Sequence, residues 1–387
     1  MLKVAKVALS VLLLSASIPS LMANAQENGN PNNYDQYIKE AIEQEVLLDA
    51  GSPSTAKGMS SLTDKEFNKT LDNITQSPNV SQTTKQNIEK LENAEVILLD
   101  FDSDGELINA TSSEKGDIRS NFESKEITAT ESTYGTEPHV RISTQSYLGN
   151  QGNTVGKETG AFHRLQTPAS NANKIYNGVV ADSIVLPTYN IKDALTYEEA
   201  AYLYTGVDDV AEVGFKGVNN PKFSIDGWYP MFHAKKYHTV ESGDTNGNTQ
   251  PNKDKYYYDT SKKFNGGDKI NGYKVYYYST DKTLTIREQI NYQNIYVIRF
   301  DGLGSTGRSV KRLTAIGMGS ASSTTTPFHF GFTTPAIWNN MKFLINNSSS
   351  SVYPSSVPGL SNDVWTHGGK IDYTKSGQSE KYIFSVK

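Results

Sequence analysis

The segment from Tyr197 to His233, YEEAAYLYTGVDDVAEVGFKGVNNPKFSIDGWYPMFH, restricts the fold more than any other stretch of the chain. Short aromatic and apolar runs alternate there with Gly, Asn and Pro, the pattern of half-buried antiparallel strands. Tyr202, Tyr204 and Thr205 close one run at Gly206. Val210, Val213 and Phe215 form the next, bounded by Gly214 and Gly217. Asp226-Gly227 is a tight-turn pair, because Gly accepts the positive φ such a turn needs. It delivers a further strand-like cluster of Trp228, Tyr229, Met231 and Phe232.

The same texture runs to the C-terminus. Extended segments are expected at 139–143, 177–186, 256–258, 273–278, 283–288, 294–300, 310–318, 328–332, 341–345 and 381–386, with no amphipathic helix of length between them. The expected fold is therefore mainly β: an antiparallel sandwich or jelly roll over 131–387, behind a small helical and hairpin region over 26–130. A chain of 387 residues makes two units the natural prior.

Residues 1–25 read as a secretory signal peptide. Lys3 and Lys6 form a positive start, Val7 to Leu14 is apolar, and Ala23-Asn24-Ala25 is an A-x-A cleavage site. The apolar run is too short to span a bilayer, and neither a lipidated Cys nor a late hydrophobic anchor is present in the sequence. The expected location is extracellular, with no membrane anchor. The chain has no Cys, so stability must come from core burial or bound ions, a habit that fits export from a Gram-positive cell. A formal charge of −5 argues against a nucleic-acid partner, which needs a concentrated basic face.

After a polar start, Tyr34, Tyr37, Ile38, Ala41 and Ile42 recur at helical spacing, with Val46 and Leu48 extending the face before Gly51. Thr63 and Glu66 form a capping box, and Leu62 and Phe67 stand at staple positions, so a helix carrying Phe67, Leu71 and Ile74 is expected up to Pro78. A third helix is expected from Ser81, using Ile88 and Leu91. Residues 115–134 are polar and charged and read as a linker.

Between these lies EVILLDFDSDGELINAT, residues 95–111. Asp100, Asp102, Asp104 and Gly105 match the first half of a calcium loop, in which alternate carboxylates converge on one hard cation. Position twelve is Thr111 rather than the bidentate Glu, and no exiting helix follows. The competing reading is a β-hairpin, with 96–101 as one strand, Asp104-Gly105 in the turn and Leu107-Ile108 beginning the return. A structural calcium at Asp100, Asp102 and Asp104 is thus the one cofactor to test, and no other is implied. Asp244 to Asn248 is a second Asx-rich loop that reads as a turn.

Catalytic motifs are sparse. Gly302 to Gly307 spells GxGxxG after an apolar strand, but no helix pattern or ribose-binding acid follows, so a dinucleotide site is rejected. The six histidines show no metal spacing, and His233 and His238 fall on opposite faces of an extended segment. GxSxG is absent. A sugar-cleaving pair of acids has no single-strand motif here and would have to be assembled from distant strands, with Asp208, Glu212, Asp226 and Glu288 as candidates.

Aromatics are the most distinctive feature, with 23 Tyr and three Trp. In the triplets Tyr256–Tyr258 and Tyr276–Tyr278 the outer two rings face one way and the middle ring the other, so some lie outside the core. An aromatic row on a sheet suits stacking on sugar rings, and the candidate platform is Trp228, Tyr229, Tyr257, Tyr277 and Trp338. The alternative is that each ring fills core or covers an edge, since Tyr is a strong strand former.

The pieces AYLYTGVDDVAEVGFKG leading to DGWYPMFH, then KTLTIREQINYQNIYVIRFDG, KRLTAIGMGS and WNNMKFLINN, resemble the YrpD-like family of secreted proteins from Gram-positive spore-formers. The resemblance spans roughly Thr133 to Asn347 and lies in strand pattern. It implies a concanavalin-like β-sandwich and supplies no catalytic residue. The combined expectation is a secreted, non-catalytic sandwich that binds a glycan or cell-envelope polymer. A glycoside hydrolase or lyase and a structural matrix or spore-associated protein are the alternatives.

Overall fold

A computed structural model of the chain describes residues 33–49, 56–103, 105–127, 140–141, 158–171, 174–190, 199–207, 210–220, 225–234, 254–280, 282–304, 308–319, 330–346, 350–367 and 369–386. The signal segment, the loop at 244–248, Asp104, Asp208, His139, His238 and His329 lie outside the described residues.

Three helices open the described chain: α1 (Tyr34–Leu47), α2 (Asp64–Gln76) and α3 (Gln82–Leu91). Their starts follow the local chemistry. Thr63 and Glu66 close the capping box that begins α2, and the Ser81 hydroxyl accepts the Thr84 amide at 3.1 Å to begin α3.

The strands follow in chain order. First comes the hairpin of β1 (Glu95–Phe101) and β2 (Leu107–Ser112), then β3 (Gly116–Asp117), β4 (Phe122–Ile127) and β5 (Val140–Arg141). Next are β6 (Glu158–Gln166), β7 (Tyr176–Val185), β8 (Glu199–Val207), β9 (Ala211–Asn220), β10 (Ile225–Ala234) and β11 (Asp254–Asp259). A meander of β12 (Lys269–Ser279), β13 (Thr283–Ile290) and β14 (Asn294–Asp301) leads to β15 (Val310–Gly319). The chain ends in β16 (Phe330–Gly331), β17 (Ala336–Asn339), β18 (Lys342–Ile345), β19 (Ser350–Val352), β20 (Ser361–His367), β21 (Gly369–Ser376) and β22 (Ser379–Val386).

The fold is mainly β, an antiparallel sandwich behind a few N-terminal helices, as the strand pattern leads one to expect. The larger sheet runs β16-β22-β17-β7-β12-β13-β14-β1-β2-β3, with β18, β19 and β21 attached; the smaller runs β4-β11-β10-β9-β8-β15-β6-β20-β5. Among the described residues every strand pairing is antiparallel except β1 with β14, where Glu95 to Phe101 match Asn294 to Phe300 in parallel. Strands from both sides of residue 130 therefore share both sheets. The expected linker at 115–134 is corrected in part, because β3 pairs with β2 and β4 pairs with β11 along the edge of the smaller sheet. Charged alternation there marks an edge strand, which meets water on one side and looks like a linker in sequence.

Alternation sorts the side chains into faces. Leu203, Val213, Phe215, Trp228 and Phe232 of the smaller sheet meet Tyr273, Val275, Ile286, Tyr296 and Trp338 of the larger sheet in one core. The helices cover the outer face of the larger sheet, where Ile42, Val46, Phe67, Leu71 and Ile88 pack on Val96, Leu98, Ile295 and Val297. Two buried ion pairs fasten α1 there. Glu40 bonds Arg287 at 3.0 Å, and Glu45 bonds Lys274 and Asn87.

Candidate functional site

The sequence-derived platform does not form. Trp228 and Trp338 are fully buried, and Tyr257 and Tyr277 are almost so, all inside the core between the sheets. Each polar tip is satisfied internally. Trp228 Nε1 donates to Pro187 O at 2.8 Å, Trp338 Nε1 to Thr314 Oγ1 at 2.8 Å, and Tyr277 OH to Thr205 Oγ1 at 2.7 Å; Tyr257 OH donates to Glu106 at 3.1 Å. The physical reason is size. Two broad sheets leave a wide gap, and large rings fill it. The triplets do alternate as expected, with Tyr257 and Tyr277 inward. Tyr276 and Tyr278 turn to the outer face of the larger sheet, where Arg287 lies over the Tyr276 ring at 4.6 Å and the two rings stack at 6.5 Å. Of the five platform residues only Tyr229 is on an outer face, that of the smaller sheet, and it is buried there as well.

The aspartate loop is a hairpin. Asp100 stands opposite Asn109, and its carboxylate takes both Arg299 Nε at 2.5 Å and Nη2 at 2.9 Å, and Asn109 Nδ2 at 2.9 Å. Asp102 Oδ1 accepts the Glu106 amide at 2.9 Å, as a turn-forming Asp does. Asp100 is thereby paired with a guanidinium, while Asp104, the third member of the expected calcium set, lies outside the described residues. Among the described residues no group of three metal-type side chains converges.

Among the described residues the acids proposed for catalysis, Glu212, Asp226 and Glu288, do not form a pair. Glu288 faces the core, and Glu212 lies on the outer face of the smaller sheet. Asp226 is exposed at the start of β10, bonded to Lys263 at 2.5 Å.

What the register does assemble is the outer face of the smaller sheet, where three cross-strand rows run side by side. The first joins Lys311, Gly206, Glu212, His233 and Tyr256. The second joins Asp363, Arg164, Leu313, Tyr204, Gly214, Met231 and Tyr258. The third joins Phe162, Ala315, Tyr202, Lys216 and Tyr229. Rings and charges interleave. Lys216 Nζ sits over the rings of Tyr202 and Tyr258, at 5.1 and 5.2 Å, and Lys311 over Tyr204 at 5.9 Å. Arg164 bonds Asp363 at 2.9 Å.

Two glycines make this packing possible. Lys311 and Glu212 stand two strands apart, roughly 10 Å between backbones. Their side chains nevertheless meet at 2.6 Å, because the residue between them is Gly206, where a Cβ would lie 2.7 Å from the Lys311 stem. At Gly214 a Cβ would meet Tyr204 Cβ at 2.8 Å. Glu212 also holds His233 Nδ1 at 2.9 Å, which fixes the imidazole on the row. Among the members of these rows whose side chains are described, all are buried apart from the partly exposed Tyr202 and Arg164.

A second polar cluster lies between the sheets. Arg312 on β15 bonds Glu380 and Tyr382 on β22, and His163 on β6 contacts Tyr382 OH at 2.7 Å and Asn362 at 2.6 Å. Burial, reinforced by the Arg312 charge, pushes the His163 imidazole down to about 4. Burial alone would raise Glu380, yet the Arg312 guanidinium and the His163 and Tyr382 contacts hold it below the usual carboxylate range. Sequence reading missed this cluster and the three rows for one reason. Their members sit far apart in the chain and meet only through strand order. The available signal was the inward or outward phase of Lys216, Lys311 and Glu212 within their strands.

The geometry defines a β-sandwich with one helix-covered outer face and one outer face of interleaved rings and charges. No protein-family model matches the chain, and no curated protein matches it.

Proposed function

We propose that the protein is a secreted, non-catalytic β-sandwich that binds a glycan or cell-envelope polymer through the outer face of the smaller sheet. The observation that supports this reading is the partly exposed Tyr202 ring, held from beneath by the Lys216 ammonium at 5.1 Å, on the same face as the partly exposed Arg164. Sugars present apolar C–H faces and polar rims, and the partly exposed Tyr202 ring offers a surface for the first and the partly exposed Arg164 a charge for the second, over a buried layer of rings and ion pairs. Fixing those groups in advance lowers the entropy lost on binding. The signal-like residues 1–25 and the Cys-free composition support export.

The test is retention of the full mature chain on insoluble polysaccharides and peptidoglycan sacculi, comparing wild type with Tyr202→Leu and Lys216→Met. Both variants are expected to keep the wild-type circular dichroism and to lose retention about tenfold or more. Wild-type retention by correctly folded variants, or no retention of the wild type on any polymer, rejects the reading. Reducing ends released during the incubation would instead support the glycosidase alternative.

A further inference from the structure

We propose that Glu288 keeps its proton inside the folded sandwich at neutral pH, and that its ionisation weakens the fold in alkali, making the β12–β13–β14 core pH-sensitive. The other inward positions of β13 are Leu284, Ile286 and Ile290, all aliphatic, and Glu288 takes the remaining one, between Val275 on β12 and Tyr296 on β14. It is completely enclosed.

Neither carboxyl oxygen meets full hydrogen-bond geometry with a partner among the described residues, and the one donor beside it is the Tyr273 hydroxyl, itself without another well-formed bond. The titratable groups around it are Tyr273 and Tyr277 from β12 and Tyr296 from β14. Across the gap stand Thr205 of β8, bonded to Tyr277 OH, and Asp259 at the end of β11, bonded to Tyr296 OH at 2.7 Å. Among the described residues no cation acts on the carboxyl. An ionised carboxylate in such a place has lost water and gained no counter-charge, and the neighbouring Tyr273 hydroxyl offsets only part of that loss, so the neutral acid is the stable form. Burial accordingly pushes it up to about 8 from 4.5.

The linkage has a definite sign. Unfolded, the group ionises near 4.5; folded, it holds its proton to about 8. Folding therefore takes up a proton between these values. The stabilisation is complete below 4.5, declines as pH rises, and is lost once the folded group titrates.

Urea unfolding of the full mature chain between pH 5.5 and 9.5, for wild type and Glu288→Gln, tests this. The folding constant of the wild type is expected to fall relative to the variant by up to about tenfold per pH unit below 8, then to level. Parallel profiles overturn the proposal. Should the Gln variant not fold, infrared spectra of wild-type protein carrying ¹³C-carboxyl glutamate decide. A protonated carboxyl band present at pH 7 and gone by pH 9.5 supports the assignment, and its absence at pH 7 refutes it.

Discussion

Replacing Trp228 by Ala separates a core ring from a binding ring. The indole is fully buried, meets Tyr189 edge-on at 5.5 Å and Phe332 at 6.3 Å, and donates to Pro187 O at 2.8 Å. Truncation of a buried aromatic costs about 3–5 kcal/mol through lost burial and the cavity left behind. The orphaned Pro187 carbonyl adds about 1 kcal/mol. The sum, about 4–6 kcal/mol, is a large part of the 5–15 kcal/mol typical of a folded domain. Urea denaturation followed by circular dichroism should show it directly, and Trp228→Phe, which keeps most of the volume, should cost about half as much or less. Polymer retention by Trp228→Ala should fall only in proportion to unfolded protein. A variant with wild-type stability that no longer binds polymer would refute the core assignment.

Three further outcomes follow from the packing. Arg287→Met leaves the Glu40 carboxylate buried without its guanidinium, so the loss should reach about 3–5 kcal/mol, and adding Glu40→Gln should recover much of it in a double-mutant cycle. Ser81→Ala removes the acceptor for the Thr84 amide and should cost about 1 kcal/mol in the same denaturation assay. His163 is held neutral, titrating at about 4 when folded against 6.5 otherwise. Its stabilisation is full above 6.5 and is lost as pH falls toward 4, so His163→Gln should flatten the acid limb of the stability profile.

Local chemistry alone determined a good deal of this molecule. Capping residues at Thr63 and Ser81 set helix starts, Asp102 and Gly105 set a hairpin turn, and alternation in segments such as 273–278 and 294–300 set strands and the opposed phases of the Tyr triplets. These are decisions taken over a few residues, where backbone preference and neighbouring side chains suffice. Which phase faces inward was decided only by tertiary structure. Trp228 and Tyr229 are adjacent and equally aromatic, yet one fills the core and the other lies on the outer face, because β9 and β11 flank β10 and the larger sheet closes over one side alone. The same holds for the candidate site. Lys311, Gly206, Glu212 and His233 form a row because β15, β8, β9 and β10 are neighbours, and strand order is set by burial summed over the whole sandwich.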